Sequence, residues 1–143
     1  MSSLASSRAP HWIVVLVSAA CLAGLVAVRL VLTPDPDGIG THEQLGLLPC
    51  SVPRWFGIPC PGCGVTTSVT WFVQGAPLRS LATQPLGFAL ALAGSLALPL
   101  ALLATVLGVD LGEHMARVPW SRLVLPALAF IALCWVYKIV AMA

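Results

Sequence analysis

Cys60 and Cys63 lie in the run Pro59-Cys60-Pro61-Gly62-Cys63-Gly64, where the side-chain chemistry of this sequence is concentrated. Two thiols at that spacing can share one metal ion or close a small disulfide, and both uses need the tight turn that Pro and Gly favour. The pattern is that of a metal-binding knuckle. Pro61 shapes the turn after the first thiolate, and Gly64 lets the backbone fold so that amide N–H groups face sulfur and stabilise a bound thiolate pair. Two ligands alone do not make a structural zinc site. Cys50, ten residues before Cys60, supplies a third and His42 a fourth, giving a Cys₃His set within 22 residues. That count matches the tetrahedral coordination zinc prefers.

The same residues permit a redox reading, because Cys-Pro-x-Cys also occurs in dithiol oxidoreductases, where a helix N-terminus lowers the pKa of the attacking thiol. Here the expected helix begins at about Gly64, after Cys63 instead of at Cys60, and no βαβ pattern surrounds it. A structural disulfide or packed free thiols are the remaining uses, and an outward-facing connector favours the disulfide. Thr66, Thr67, Ser68 and Thr70 follow the motif, and hydroxyls in a first helical turn are expected to cap its free N–H groups. The alternative is an anion held at that helix end. None of these four hydroxyl residues has a base beside it in sequence, and His11, His42 and His114 are separately placed, so a hydrolase triad has no support. Cys21 and Cys134 fall in apolar runs and read as small packed hydrophobes.

The elements that position this chemistry belong to a membrane. Apolar residues make up 59% of the chain and charged ones 8%, with a mean hydropathy of +0.97, far outside the range of soluble domains. The formal charge of +2 comes from basic and acidic residues scattered singly, with no basic cluster to hold a phosphate backbone, so nucleic acid is excluded as a partner. The lipid bilayer is the partner the composition demands.

Residues 1–11 read as an N-terminal tail and 12–32 as a first transmembrane helix, since a hydrocarbon core needs about 20 helical residues. A cleaved signal is disfavoured because the apolar run continues for eleven residues past Cys21, whereas a signal core is about 7 to 15 long. Thr33-Pro34-Asp35-Pro36-Asp37-Gly38 stops that helix and opens the Cys-containing connector, 33–84. Within it, Gly64–Val73 and Pro77–Thr83 are expected as short helices, interfacial or re-entrant and covered by protein. Residues 85–107 form the second span, with Pro99 as a kink and Gly87, Gly94 and Ser95 offering close approach to neighbours. Residues 108–121 read as a polar loop, 122–140 as the third span and 141–143 as a C-terminal tail. Trp120, Trp135, Tyr137 and Lys138 suit the two interfaces. The fold class is therefore all-α, with three transmembrane helices and short interfacial helices between the first two. Basic residues near the helix ends, Arg8, Arg117 and Arg122 against Arg29, Arg54, Arg79 and Lys138, do not decide the topology.

Gly40-Thr41-His42-Glu43-Gln44-Leu45-Gly46, Pro49-Cys50, the run Pro59 to Ser68 and Gln84-Pro85-Leu86-Gly87 together resemble DUF2752, a family of small bacterial membrane proteins. The resemblance implies a multi-span protein of the bacterial inner (plasma) membrane with a cysteine cluster, carried here onto Cys50, Cys60 and Cys63. It implies no activity. Thr66-Thr67 stands where many members have Thr-Arg, and Gln84-Pro85 where they have Asn-Pro, and the missing Arg weakens an anion-binding role. Three functions are expected in order. The first is a non-enzymatic membrane protein whose cap, Cys50, Cys60, Cys63 and His42, binds zinc or is locked structurally. The second is a thiol-disulfide oxidoreductase using Cys60 and Cys63. The third is a scaffold or accessory subunit packed, as a homo-oligomer or against another membrane protein.

Overall fold

A computed structural model describes residues 4–142 and is helical throughout, with no strand among the described residues. The expected tails, 1–11 and 141–143, fall partly outside those residues, as do the side chains of Arg8 and Arg54. Helix α1 covers Leu4–Val31, so the first long helix begins well before residue 12. It ends where Pro34 and Pro36 remove backbone donors, the last turn closing with Leu32 N–H on Val28 O at 2.9 Å. Asp35 then accepts from the Asp37 N–H at 2.9 Å, and Gly38 takes a positive φ of 74°, which turns the chain back.

The connector holds four short elements: a 3₁₀ turn at Thr41–Leu45 and helices α2 (Ser51–Phe56), α3 (Val65–Val73) and α4 (Pro77–Thr83). Helices α3 and α4 stand where the Gly and Pro punctuation placed them. At nine residues α3 is about 14 Å long and cannot span a bilayer. It lies among α1, α4 and α5, with Thr67, Ser68 and Thr70 buried.

Each of those hydroxyls has a partner. Thr67 meets Thr41 Oγ1 at 2.8 Å, and Thr70 donates to Thr66 O at 2.8 Å. Ser68 Oγ lies 2.8 Å from Ser80 O, 2.9 Å from Ser80 Oγ and 2.8 Å from Gln84 O. None caps the helix. The capping expectation fails because the N-cap position belongs to Gly64, which has no side chain and a φ of 84°, so Thr67 and Ser68 turn to neighbouring elements while Thr70 bonds back to its own helix.

Helix α5 (Pro85–Val106) is continuous through Pro99. It packs on α1 and α3 through small residues. Ala91, Ala101 and Ala104 are buried, a Cβ on Gly94 would meet Leu25 at 3.2 Å, and one on Gly87 would collide with Ser68 at 2.7 Å. Close backbone approach of this kind is how helices associate in lipid, which is as apolar as leucine. At the far end His11 Nε2 meets Thr105 Oγ1 at 2.8 Å.

The segment 108–121 is more than a polar turn. It contains α6 (Leu111–Arg117), capped by Asp110 Oδ1, which accepts from Gly112 N–H at 2.9 Å and Glu113 N–H at 3.2 Å. Helix α7 (Trp120–Met142) follows, and its apolar side chains from Leu123 to Leu133 remain largely exposed. Among the described residues three helices, over His11–Val31, Pro85–Val106 and Trp120–Met142, are long and apolar enough to cross a membrane.

Helix α7 is fastened at its C-terminal end by polar donors. Trp135 Nε1 donates to Pro59 O at 2.8 Å, Tyr137 Oη to Ala82 O at 2.6 Å, and Lys138 Nζ to Gly38 O and Thr83 O at 3.2 Å each. Three of the four residues expected at the headgroup interfaces, Trp135, Tyr137 and Lys138, thus grip the connector, while Trp120 Nε1 donates to Met115 O.

Candidate metal centre

The knuckle is built by backbone bonds. Cys63 N–H donates to Cys60 O at 3.0 Å, closing the turn around Pro61 and Gly62, and Val65 N–H donates to Gly62 O at 3.1 Å. Cys60 N–H points back at Cys63 Sγ, 3.1 Å away, the amide-to-sulfur contact that steadies a thiolate. Outside the turn, Trp135 holds the Pro59 carbonyl at 2.8 Å and Gln84 Nε2 reaches the Pro61 carbonyl at 3.4 Å. The rigid piece thus has supports before and within it.

Cys50 arrives from the other side, at the residue preceding α2. Its sulfur lies 3.8 Å from Cys63 Sγ, and Cys63 Sγ lies 2.8 Å from Cys60 Sγ. All three sulfurs fall within 4.8 Å of one another, close enough to hold a metal ion. Three zinc-bound sulfurs at about 2.3 Å stand about 3.8 Å apart in a tetrahedron, which is the Cys50–Cys63 separation. The Cys60–Cys63 pair must part by about 1 Å to fit that geometry, and must close by less than that to reach the disulfide length of about 2.05 Å.

His42 does not join the group. The 3₁₀ turn that carries it is anchored by Thr41, buried against Thr67, and this leaves the imidazole on the wall of a cavity that the sulfurs also line. The cavity has a volume of about 790 Å³ and is bordered by Glu43, Gly62, Thr66 and Thr67 as well. A cation held by the three sulfurs would be reachable from it.

Burial, reinforced by the Cys60 side chain, pushes the Cys63 thiol up to about 12. Cys50 moves the other way, lowered by a hydrogen bond from the Val52 backbone and by its contact with Cys60. The cluster is therefore uneven, with the buried Cys63 held protonated while the Cys50 thiol is eased towards ionisation. A bound cation would invert this order by holding all three as thiolates.

Residues 50–98 match the DUF2752 family model, described as a protein of unknown function. The match opens on Cys50, takes in Cys60 and Cys63, and runs through α3, α4 and most of α5 to Leu98. The family resemblance read from the motifs is thereby supported. No curated protein and no solved structure matches the chain. His42 and α7 lie outside the DUF2752 segment, so two contributors to this region come from elsewhere in the chain.

Sequence reasoning found the three cysteines and missed their supports. Gln84, fully buried, and Lys138, 4% exposed, both reach the connector around the knuckle. Their signal was their rarity: a polar side chain directly before a Pro-led span, and a lone ammonium inside the third one.

Proposed function

We propose that this chain is a non-enzymatic integral membrane protein that holds a thiophilic metal ion, zinc, through Cys50, Cys60 and Cys63. The observation that supports the reading is the convergence of three sulfurs from two separate connector segments within 4.8 Å. Such a cation, when bound, would supply the charge that keeps three thiols ionised. The fourth position is left to the cavity, where His42 on the wall, water or a small ligand can complete it, as in zinc sites that stay open. We place the protein in a bacterial plasma membrane on the strength of the family resemblance.

Metal analysis of the purified full chain tests this directly. The expected result is one zinc per chain, lost in Cys50→Ser and in Cys60→Ser. A metal-free protein containing a Cys60–Cys63 disulfide overturns it. That outcome would favour the second reading, a thiol-disulfide function, for which the supporting observation is the 2.8 Å approach of Cys60 and Cys63.

A further inference from the structure

Lys138 is the one charged side chain that is buried among the described residues, at 4% exposure. Its ammonium donates to two carbonyls, Gly38 O and Thr83 O, both at 3.2 Å. The single ion pair among the described residues joins Arg117 to Glu113, so no carboxylate balances Lys138. A buried ammonium facing only carbonyl dipoles is costly, and buried charges as a rule have a counter-ion.

The candidate counter-ion is next door. A Cβ added to Gly64 would lie 3.0 Å from Lys138 Nζ and 2.7 Å from Gly38 O, so the backbone just after Cys63 is pressed against the ammonium. Gly64, at a φ of 84°, tolerates this because it has no side chain. An ammonium has three N–H donors, and two carbonyl partners leave one.

We propose that Lys138 is the counter-charge of the cysteine site, its ammonium compensating the thiolates that hold the metal. The inference rests on the metal-binding reading above and adds to it the class of cation. Loading converts three S–H groups to thiolates and releases three protons to water. Three thiolates, one divalent cation and one ammonium then sum to zero, whereas a monovalent cation leaves the buried assembly at −1. Starting from protonated thiols, uptake of a divalent ion changes the local charge from zero to −1, and a fixed positive charge beside it favours that change. Lys138 is a positioning residue that acts through the thiolates and does not ligate.

The test titrates the full-length protein in detergent with Cd²⁺ against a competing chelator, following the thiolate-to-metal charge-transfer absorption. Lys138→Met and Lys138→Gln remove the charge, Gln keeping an amide donor for the carbonyls, and Lys138→Arg retains it. Both neutral variants are expected to lose about ten- to a hundredfold in affinity, the range for one nearby charge at intermediate dielectric, with Arg staying close to wild type. The charge-transfer band of bound Co²⁺ should shift in Lys138→Gln and hold its position in Lys138→Arg. Neutral variants that bind as tightly as wild type overturn the proposal, as does an Arg variant as weak as Gln, which would make Lys138 a fastener of α7 only. If Lys138→Met does not fold, Lys138→Gln decides. Wild-type protein that takes up no Cd²⁺ overturns the metal reading itself, a result distinct from either of these.

Discussion

Replacing Gly87 with alanine is the sharpest probe of how the site is held, because it acts where α5 meets α3. The new Cβ would lie 2.7 Å from Ser68 Cβ, 2.7 Å from Val65 O and 2.8 Å from Ser68 Oγ. Carbon contacts are normally at about 3.5 to 4.0 Å, so the two helices must part locally by about 1 Å. Overpacking of this kind costs about 1–3 kcal/mol, and stretching the Ser68 bonds to Ser80 and Gln84 adds about 1 kcal/mol. Alanine's better helix propensity returns about 1 kcal/mol. The net expectation is a loss of about 1–3 kcal/mol. Two other glycines calibrate it. At Gly94 the added atom meets Leu25 Cδ1 at 3.2 Å, a side-chain end that can swing aside, and at Gly24 it meets nothing within 4 Å. Unfolding in mixed micelles, followed by circular dichroism, should rank Gly24→Ala as most stable, Gly94→Ala next and Gly87→Ala last. A Gly87→Ala protein as stable as Gly24→Ala would refute the packing argument, and with it the claim that α3 is pinned through Ser68.

With the Cys63 thiol raised from 9.0 to about 12, the unfolded metal-free chain loses a proton that the folded chain keeps, so this contribution to stability is full below about pH 9 and falls as pH rises towards 12. Unfolding measured across that window should show the decline in wild type and not in Cys63→Ser. Tyr137→Phe removes the 2.6 Å bond to Ala82 O and Trp135→Phe the 2.8 Å bond to Pro59 O, each expected to cost about 1 kcal/mol in the same unfolding assay. Losses near zero for both would mean that α7 is not held by these donors.

Much of the fold was legible because its signals are strong and local. Predominantly apolar stretches of 21 to 23 residues mark the long helices, and Gly64, Gly75, Pro77 and Pro85 bracket α3 and α4. The shorter pieces were not. Six residues of α2 and five of the 3₁₀ turn give too little periodicity to separate a helix from a loop. Helix α6 carried a usable sign, Asp110 at the cap with Glu113 three residues on, but seven residues between two spans read as linker. At the site, Cys50, Cys60 and Cys63 were found because thiol spacing is explicit in the sequence. His42 was grouped with them because nearness in sequence was the available guide, and the Thr41–Thr67 contact that leaves it on the cavity wall joins residues 26 positions apart.

The DUF2752 segment ends before α7, yet the carbonyls of Pro59, Ala82 and Thr83 within it all take their donors from that helix. Lipid tails compete with apolar side chains on equal terms, so the exposed N-terminal half of α7 has no preferred partner within the chain. Polar groups do discriminate, because an unmade bond in hydrocarbon costs several kcal/mol. The donors at Trp135, Tyr137 and Lys138 therefore fix where α7 docks, and the Trp135 bond to Pro59 O also holds the residue that leads into the turn presenting Cys60 and Cys63. A site whose ligands come from the connector thus depends on the last helix for its shape. That dependence is a reason to expect that residues 50–98 alone would keep the thiols and lose their convergence.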